Sequence, residues 1–183
     1  YDTANKDVLF PFGYGLSYTS FEYSDIQLNN NSVTFKIKNT GKVAGMEIAQ
    51  LYVGCKSDSI FRAKKELKGF AKVFINAGDT KTVTIHFDDK TFRYFNIKTN
   101  KWEIESSEYE IMIGASSKDI RLVDSIFIKG TEVQLPYNKE RLQSYYSGKI
   151  NNVSLEEFEH LVGYKIPNSK LDRNKDLSYN DTI

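Results

Sequence analysis

Between residues 33 and 128 the sequence keeps returning to a two-residue period, and that period limits the folds open to it. Val33, Phe35 and Ile37 alternate with Thr34, Lys36 and Lys38, which predicts a half-buried strand. Val83, Ile85 and Phe87 alternate in the same way with Thr82, Thr84 and His86. Tyr109, Ile111 and Ile113 repeat the pattern, and Ile120, Leu122, Ile126 and Ile128 share one face of a last strand. Met46 to Val53 is apolar on both parities apart from Glu47 and Gln50, which predicts a central strand covered at least partly on both faces. The parity slips at Asp25 and at Gly69, and each slip predicts a β-bulge. Turn signals at Asn29-Asn30-Asn31, Asn39-Thr40-Gly41, Asn76-Ala77-Gly78-Asp79 and Asp88-Asp89 separate the runs. About seven short strands over ~110 residues read as an antiparallel β-sandwich of immunoglobulin or fibronectin type III-like form. A parallel α/β fold would need helical patterns between the strands, and this region has none. Twelve Tyr and twelve Phe against one Trp and two Met agree with a mainly β chain.

The flanks differ in character. Residues 1–20 are rich in Gly and aromatics without clean periodicity and read as a linker. Residues 21–129 carry the sandwich. Residues 130–183 read as an extension with one or two short helices and a flexible tail. In it, Asn138 caps a short helix ending at Gly148. Ser154 to Glu157 forms a capping box in which the hydroxyl accepts from the Glu157 amide and the carboxylate reaches back. Leu155, Phe158, Leu161 and Val162 make one apolar stripe, Gly163 follows as the C′ residue, and residues 168–183 are polar.

Lys plus Arg total 25 and Asp plus Glu total 24, so the formal charge of +1 gives no electrostatic footprint for nucleic acid or an anionic membrane. No apolar run approaches the ~20 residues of a membrane span. With Cys55 alone, no disulfide forms within the chain. The sequence starts at Tyr1 without Met or signal peptide, so it reads as a processed product or a piece of a longer polypeptide. A cytoplasmic location is the expectation, with secretion left open.

Chemistry-bearing residues are few and scattered. Asp88-Asp89 falls at a turn, and Glu156, Glu157 and Glu159 fall on a solvated helix. Glu103 and Glu105 share a strand face, but nothing in the sequence raises a pKa there, so they read as surface charges. His86 lies on the polar parity and His160 beside the helical stripe; neither has a nearby partner for a metal. Cys55 reads as a small, partly buried residue. Trp102, with Tyr94, Phe95 and Tyr109 near it, could face a pyranose ring, yet core or interdomain packing is the favoured reading. No Lys and no helix follow Gly13 and Gly15, so their loop is no phosphate cradle; it reads as a place where aromatic rings pack against backbone. Asn30, Asn152 and Asn180 begin N-x-S/T sequons. No catalytic, cofactor-binding or metal-binding residue is assigned.

Four ordered motifs carry a resemblance. Leu9-Phe10-Pro11-Phe12-Gly13-Tyr14-Gly15-Leu16-Ser17-Tyr18-Thr19 resembles the FPFGxGLSYT segment of glycoside hydrolase family three, the β-glucosidase group. Asn39-Thr40-Gly41 with Gly45, Glu47 and Gln50-Leu51-Tyr52-Val53 is similar to that family's NTGxxxGxEVxQLYV. Glu66-Leu67-Lys68-Gly69-Phe70 before Ala77-Gly78-Asp79 is similar to ELKGFxKVxLxPGE, and Tyr109 to Ser117 is similar to YxVxVGxSS. The chain departs from the family at Ala63, where a proline is usual, and at Asn76-Ala77-Gly78-Asp79, where APGE is usual. Glu156, Glu157, Phe158, Glu159, Leu161, Gly163, Ile166 and Pro167 are similar to an extension of some members.

The resemblance implies a C-terminal fibronectin type III-like domain preceded by a linker from an α/β domain. It also implies a parent acting on β-glucosides or similar oligosaccharides, with its nucleophilic Asp in a separate barrel within Ser-Asp-Trp and a sugar-binding Lys-His-Phe. Neither string occurs here: Ser24-Asp25 precedes Ile26, and Ser57-Asp58 precedes Ser59. The expected role is therefore a non-catalytic accessory domain without cofactor. It would pack on other domains of the same hydrolase, with a homodimer contact as a further option. A carbohydrate-binding or adhesion module is the alternative, and domain order in the parent stays open.

Overall fold

A computed structural model describes residues 6–167. Residues 1–5 of the linker, the expected polar tail and the Asn180 sequon lie outside the described residues. Seven strands form two antiparallel sheets. β1 (Phe21–Asn29), β2 (Ser32–Asn39) and β5 (Thr80–His86) make the first, in the order β1-β2-β5. β3 (Gly45–Cys55), β4 (Glu66–Ile75), β8 (Ser107–Gly114) and β9 (Ile120–Ile128) make the second, in the order β4-β3-β8-β9. A separate hairpin of β6 (Arg93–Asn96) and β7 (Lys101–Ile104) is inserted between β5 and β8.

The expected inward parity fills the space between the sheets. Val33, Phe35, Ile37, Val83 and Ile85 from the first sheet meet Ala49, Leu51, Val53, Ile75, Tyr109, Ile111 and Ile113 from the second, all buried. Phe92 extends this core at one end, with its ring edge-on to Tyr109 at 4.9 Å between centroids.

Both predicted bulges are present. Pairing jumps from Ser24↔Lys36 to Gln27↔Thr34, so Asp25 and Ile26 together oppose Phe35. Asp25 takes a left-handed φ of 55°, a conformation that a short polar side chain tolerates, and pairs with Lys36 at 2.9 Å. The extra residue moves the inward set from Tyr23 to Ile26 and Leu28. On β4, Lys68 is the additional residue between Leu51↔Gly69 and Tyr52↔Leu67. A Cβ on Gly69 would lie 2.9 Å from Ile85 Cγ2, so glycine there permits the close approach of the two sheets.

Two expectations are corrected. Only the second half of β3, from Ala49 to Gly54, is buried on both parities, because Met46 and Ile48 are uncovered on their side of the sheet. The capping box is half made: Ser154 Oγ accepts from the Glu157 amide at 3.1 Å, but the Glu157 carboxylate accepts from the Ser144 amide at 2.7 Å. A longer-range donor has won over the local one. Asn138 caps as expected, but over a 3-10 turn (Lys139–Arg141) that the buried Leu142 separates from α1 (Gln143–Ser147). Gly148 then ends α1 at φ 72°. The helix α2 (Leu155–Val162) ends at Gly163, with φ 83°.

The parity assignment makes a direct prediction. Ile111→Ala should cost about 2–5 kcal/mol, because a fully buried side chain would leave a cavity. Thr84→Ala, which removes an outward hydroxyl bonded to Thr34, should stay within about 1 kcal/mol. Chemical denaturation compares the two, and equal losses would refute the inward and outward assignment.

Candidate functional site

The two sheets present opposite chemistry to the outside. The outer side of the first carries Glu22, Ser24, Lys36, Lys38, Thr82 and Thr84, all on exposed or half-exposed positions. The outer side of the second is apolar over much of β3 and β4, with Lys72, Glu108, Glu110 and Ser125 set among its apolar residues. Cross-strand register places Met46 beside Phe74, Ile48 beside Lys72, and Tyr52 beside both Leu67 and Met112, which in turn pairs with Val123. Phe70 and Phe127 are each about two-thirds exposed, and Met46 and Val123 about half exposed. A surface of this kind on one face, with an ordinary polar face opposite, marks an interaction site.

The segment before β1 continues that surface. Leu9, Phe10, Phe12, Leu16 and Tyr18 are between 65% and fully exposed, although the backbone that carries them is fixed. Val8, Phe10, Pro11 and Phe12 line a groove with Tyr52 and Leu67 of the apolar sheet. The Ser117 amide donates to the Phe12 carbonyl at 2.9 Å, and Tyr14 closes a turn on Pro11. The Gln50 amide donates to the Gly13 carbonyl at 3.0 Å and to the Ala115 carbonyl at 2.7 Å, and it accepts from Tyr52. Gly13 has φ 77°, and a Cβ there would collide with the Gln50 carboxamide. The glycine therefore admits an amide and not, as expected, an aromatic ring. Gly15 faces open space.

The segment is fixed a second time at Asn39, which is fully buried. Its oxygen accepts from the Thr19 hydroxyl at 2.6 Å and the Gly41 amide at 3.0 Å; its nitrogen donates to the carbonyls of Val43 and Ile75. Beside this point Tyr23 donates to Glu47 at 2.8 Å, and Arg121 lies over the Tyr23 ring at 4.8 Å. Partial burial between the sheets pushes the Glu47 carboxyl above its ordinary range, against the opposing effects of Tyr23 and Arg121.

At the other end of the sandwich the reading of Glu103 and Glu105 as surface charges is corrected. Glu103 is buried and accepts from Thr99 at 2.9 Å. Glu105 is nearly buried, pairs with Arg62 and accepts from Ser57, with the Cys55 thiol 3.7 Å away. Arg62 also stacks over Tyr94. The partner that makes burial tolerable lies 43 residues away in sequence, so local pattern gave no sign of it. For Trp102 the core half of the reading is corrected: it stands 62% exposed on the hairpin, edge-on to the half-exposed Phe95, while Tyr109 alone of that group lies in the core.

The remaining candidates stay apart. Asp88 caps the 3-10 turn after β5, and Asp89 pairs with Arg93. Asp58 pairs with Lys139, Glu156 with Arg141, and Glu159 with Lys165. His86 is exposed, and His160 accepts a hydrogen bond from the Asn138 amide. Asn30 and Asn152 are exposed. Among the described residues no group of three His, Cys, Asp or Glu side chains converges on a metal-sized site.

Comparison with known proteins bears on the apolar surface. Residues 47–117 match the family described as the fibronectin type III-like domain. The chain is 49% identical over 139 residues to thermostable β-glucosidase B of Acetivibrio thermocellus, covering 72% of this chain and 18% of that protein. It is 42% identical over 135 residues to an exo-α-(1→6)-L-arabinopyranosidase of Bifidobacterium breve, again covering 18% of the relative. Among solved structures, the β-glucosidase of Kluyveromyces marxianus superposes with a TM-score of 0.66 at 40% identity, over 72% of this chain and 16% of the other. A family-three β-glucosidase of Bifidobacterium adolescentis gives 0.69 at 35% identity, over 83% of this chain and 24% of the other. The chain thus spans less than a fifth of the length of these curated relatives.

Glu47 gives a test of the sheet junction. Its pKa is raised in the folded protein, so its contribution to stability is full below the unfolded carboxyl range, near about pH 4, and is lost as pH rises through the folded value. Glu47→Gln keeps an acceptor for Tyr23 and stays neutral. The variant should therefore gain on the wild type as pH rises from about 4 to 7. Denaturation midpoints across that range check it; a variant that loses ground with rising pH would refute the assignment.

Proposed function

Since this chain belongs to the fibronectin type III-like domains of the glycoside hydrolase family three β-glucosidases, we propose that it is an accessory domain whose work is to pack against and stabilise the catalytic domains of such an enzyme. One observation carries the reading: the apolar outer residues of β3 and β4 are continuous with the exposed aromatic segment at residues 8–18. The covering partner is the polypeptide that makes up the rest of the relatives' length. The arrangement suits a junction, because the aromatic segment is the chain leading into the sandwich and is held at Gln50 and Asn39 in a fixed course. On this reading residues 1–20 are the linker, 21–129 the docking domain and 130–183 an appended extension. The parent acts on β-glucosides or similar oligosaccharides through residues carried elsewhere.

A second reading is favoured by Trp102 and Phe95. Two exposed rings at 5.6 Å on a hairpin, with the Arg93–Asp89 pair adjacent, could hold a pyranose face and its hydroxyls. A carbohydrate-binding module would use them so.

One pair of variants separates the readings. Phe12→Ala should weaken self-association of the chain, as read by sedimentation velocity, because the uncovered apolar surface is what would drive association. It should leave any affinity for cellobiose unchanged. Trp102→Ala should leave association unchanged. Saccharide binding by the wild type, lost in Trp102→Ala while Phe12→Ala has no effect on association, would transfer the assignment to the carbohydrate module.

A further inference from the structure

We propose that His160 is a pH-sensitive latch that holds helix α2 against the start of the C-terminal extension. Its Nε2 accepts a hydrogen bond from the backbone amide of Asn138 at 3.0 Å. A backbone N–H can only donate, so this contact exists only while Nε2 keeps its lone pair. Protonation replaces an acceptor with a second donor and turns the contact repulsive.

The location makes that loss consequential. Asn138 caps the turn that begins the extension, and His160 lies in the last turn of α2, so the bond joins the two halves of the extension across 22 residues. Helix α2 is otherwise lightly held. Leu155 and Phe158 from its apolar stripe remain 55% and 41% exposed, and no residue of α2 is buried. Its remaining fixed points are Glu157 on the Ser144 amide, Arg141 on Glu156, and Gly163 against Ile97. A unit of such low local stability opens on its own, and one lost hydrogen bond shifts its opening appreciably.

The charged groups that face the imidazole come from the hairpin, the start of the extension, α2 and the residues after it. The groove between α2 and residues 134–138 is lined by Lys98 from the hairpin, Tyr137 and Arg141 from the start of the extension, Glu156 and Glu159 from α2, and Tyr164 and Lys165 after it. Both carboxylates already have cationic partners, Arg141 at 2.7 Å and Lys165 at 2.7 Å. An imidazolium would join three cations there. Protonation of the imidazole therefore releases α2 while the sandwich stays folded.

Hydrogen exchange on the full chain tests the latch. Exchange at the Phe158 amide, which is bonded to the Ser154 carbonyl, should speed up about two- to ten-fold at about pH 5.5 relative to pH 7.5 after correction for intrinsic rates. Strand amides of β3 and β8 should not speed up on acidification. His160→Gln supplies a neutral oxygen acceptor and should abolish the pH response. His160→Ala should exchange fast at both pH values. His86→Gln and Glu47→Gln should keep the response, since both residues lie outside the groove. Protection of α2 that does not vary with pH in the wild type, or a response that persists in His160→Gln, would overturn the proposal.

Discussion

A buried carboxamide must find two acceptors and up to two donors, and this sandwich uses that demand to fix several of the irregular segments that cross it. Asn39 meets all four requirements at once, and its four partners come from the leading segment, the β2–β3 loop and the end of β4. Gln50 joins the leading segment to the β8–β9 turn. Asn96, fully buried on the hairpin, donates to the Gln134 carbonyl and accepts from the amides of Lys98 and Thr99. Each amide sits on a regular strand and reaches into a segment with no ladder of its own. Loops that would otherwise be mobile therefore take one course, and the exposed side chains they carry are presented in one arrangement.

That fixed presentation explains how a polar and an apolar face coexist on one small fold. The core between the sheets is complete without the outer surfaces, because the inward parity of all seven strands is filled. The apolar residues outside are therefore surplus to the sandwich itself. A surface of Met46, Ile48, Phe70, Phe74, Val123 and Phe127 adds nothing to the folding of the isolated chain and exposes it to aggregation. It becomes favourable only when something covers it. The leading segment adds rings to the same surface and keeps them pointed away from the sandwich, so it behaves as part of the partner-facing side.

Much of this was legible in the sequence, and the reason is the period of two. A strand's side chains alternate with no dependence on distant residues, so the inward set and both bulges could be read locally at Val33–Ile37, Asp25 and Gly69. What escaped was set by partners far along the chain. Glu105 looked like a surface charge because its partners Arg62 and Ser57 lie 43 and 48 residues back. Glu157 looked like the second half of a capping box because the competing Ser144 amide lies thirteen residues back. Trp102 read as core or interdomain packing because aromatics in small sandwiches are often inside, and its exposure on the β6–β7 hairpin excludes the core. Residue type suggested the core and tertiary placement overrode it. The apolar docking surface was visible only in part: the aromatic segment announced itself, whereas the outer parity of β4 and β9 needed the sheet order.

The Arg62–Glu105 pair plays at the far end of the sandwich the part that the amides play at the near end. A nearly buried ion pair is weak grounds for stability, since desolvation offsets most of the attraction. Its value here is positional. Arg62 lies in the β3–β4 loop, and the same loop carries Phe61, whose ring meets Tyr145 and Tyr146 edge-on and whose amide donates to Tyr137. Fixing Arg62 on Glu105 thus fixes the platform on which the extension rests. The leading segment is held at Asn39 and Gln50, whereas the extension rests on the loop after β3, so the two attachments use different parts of the sandwich. A rigid sandwich with a separate anchor at each end holds the polypeptide on its two sides at a set distance and orientation, which a flexible linker of the same length cannot do.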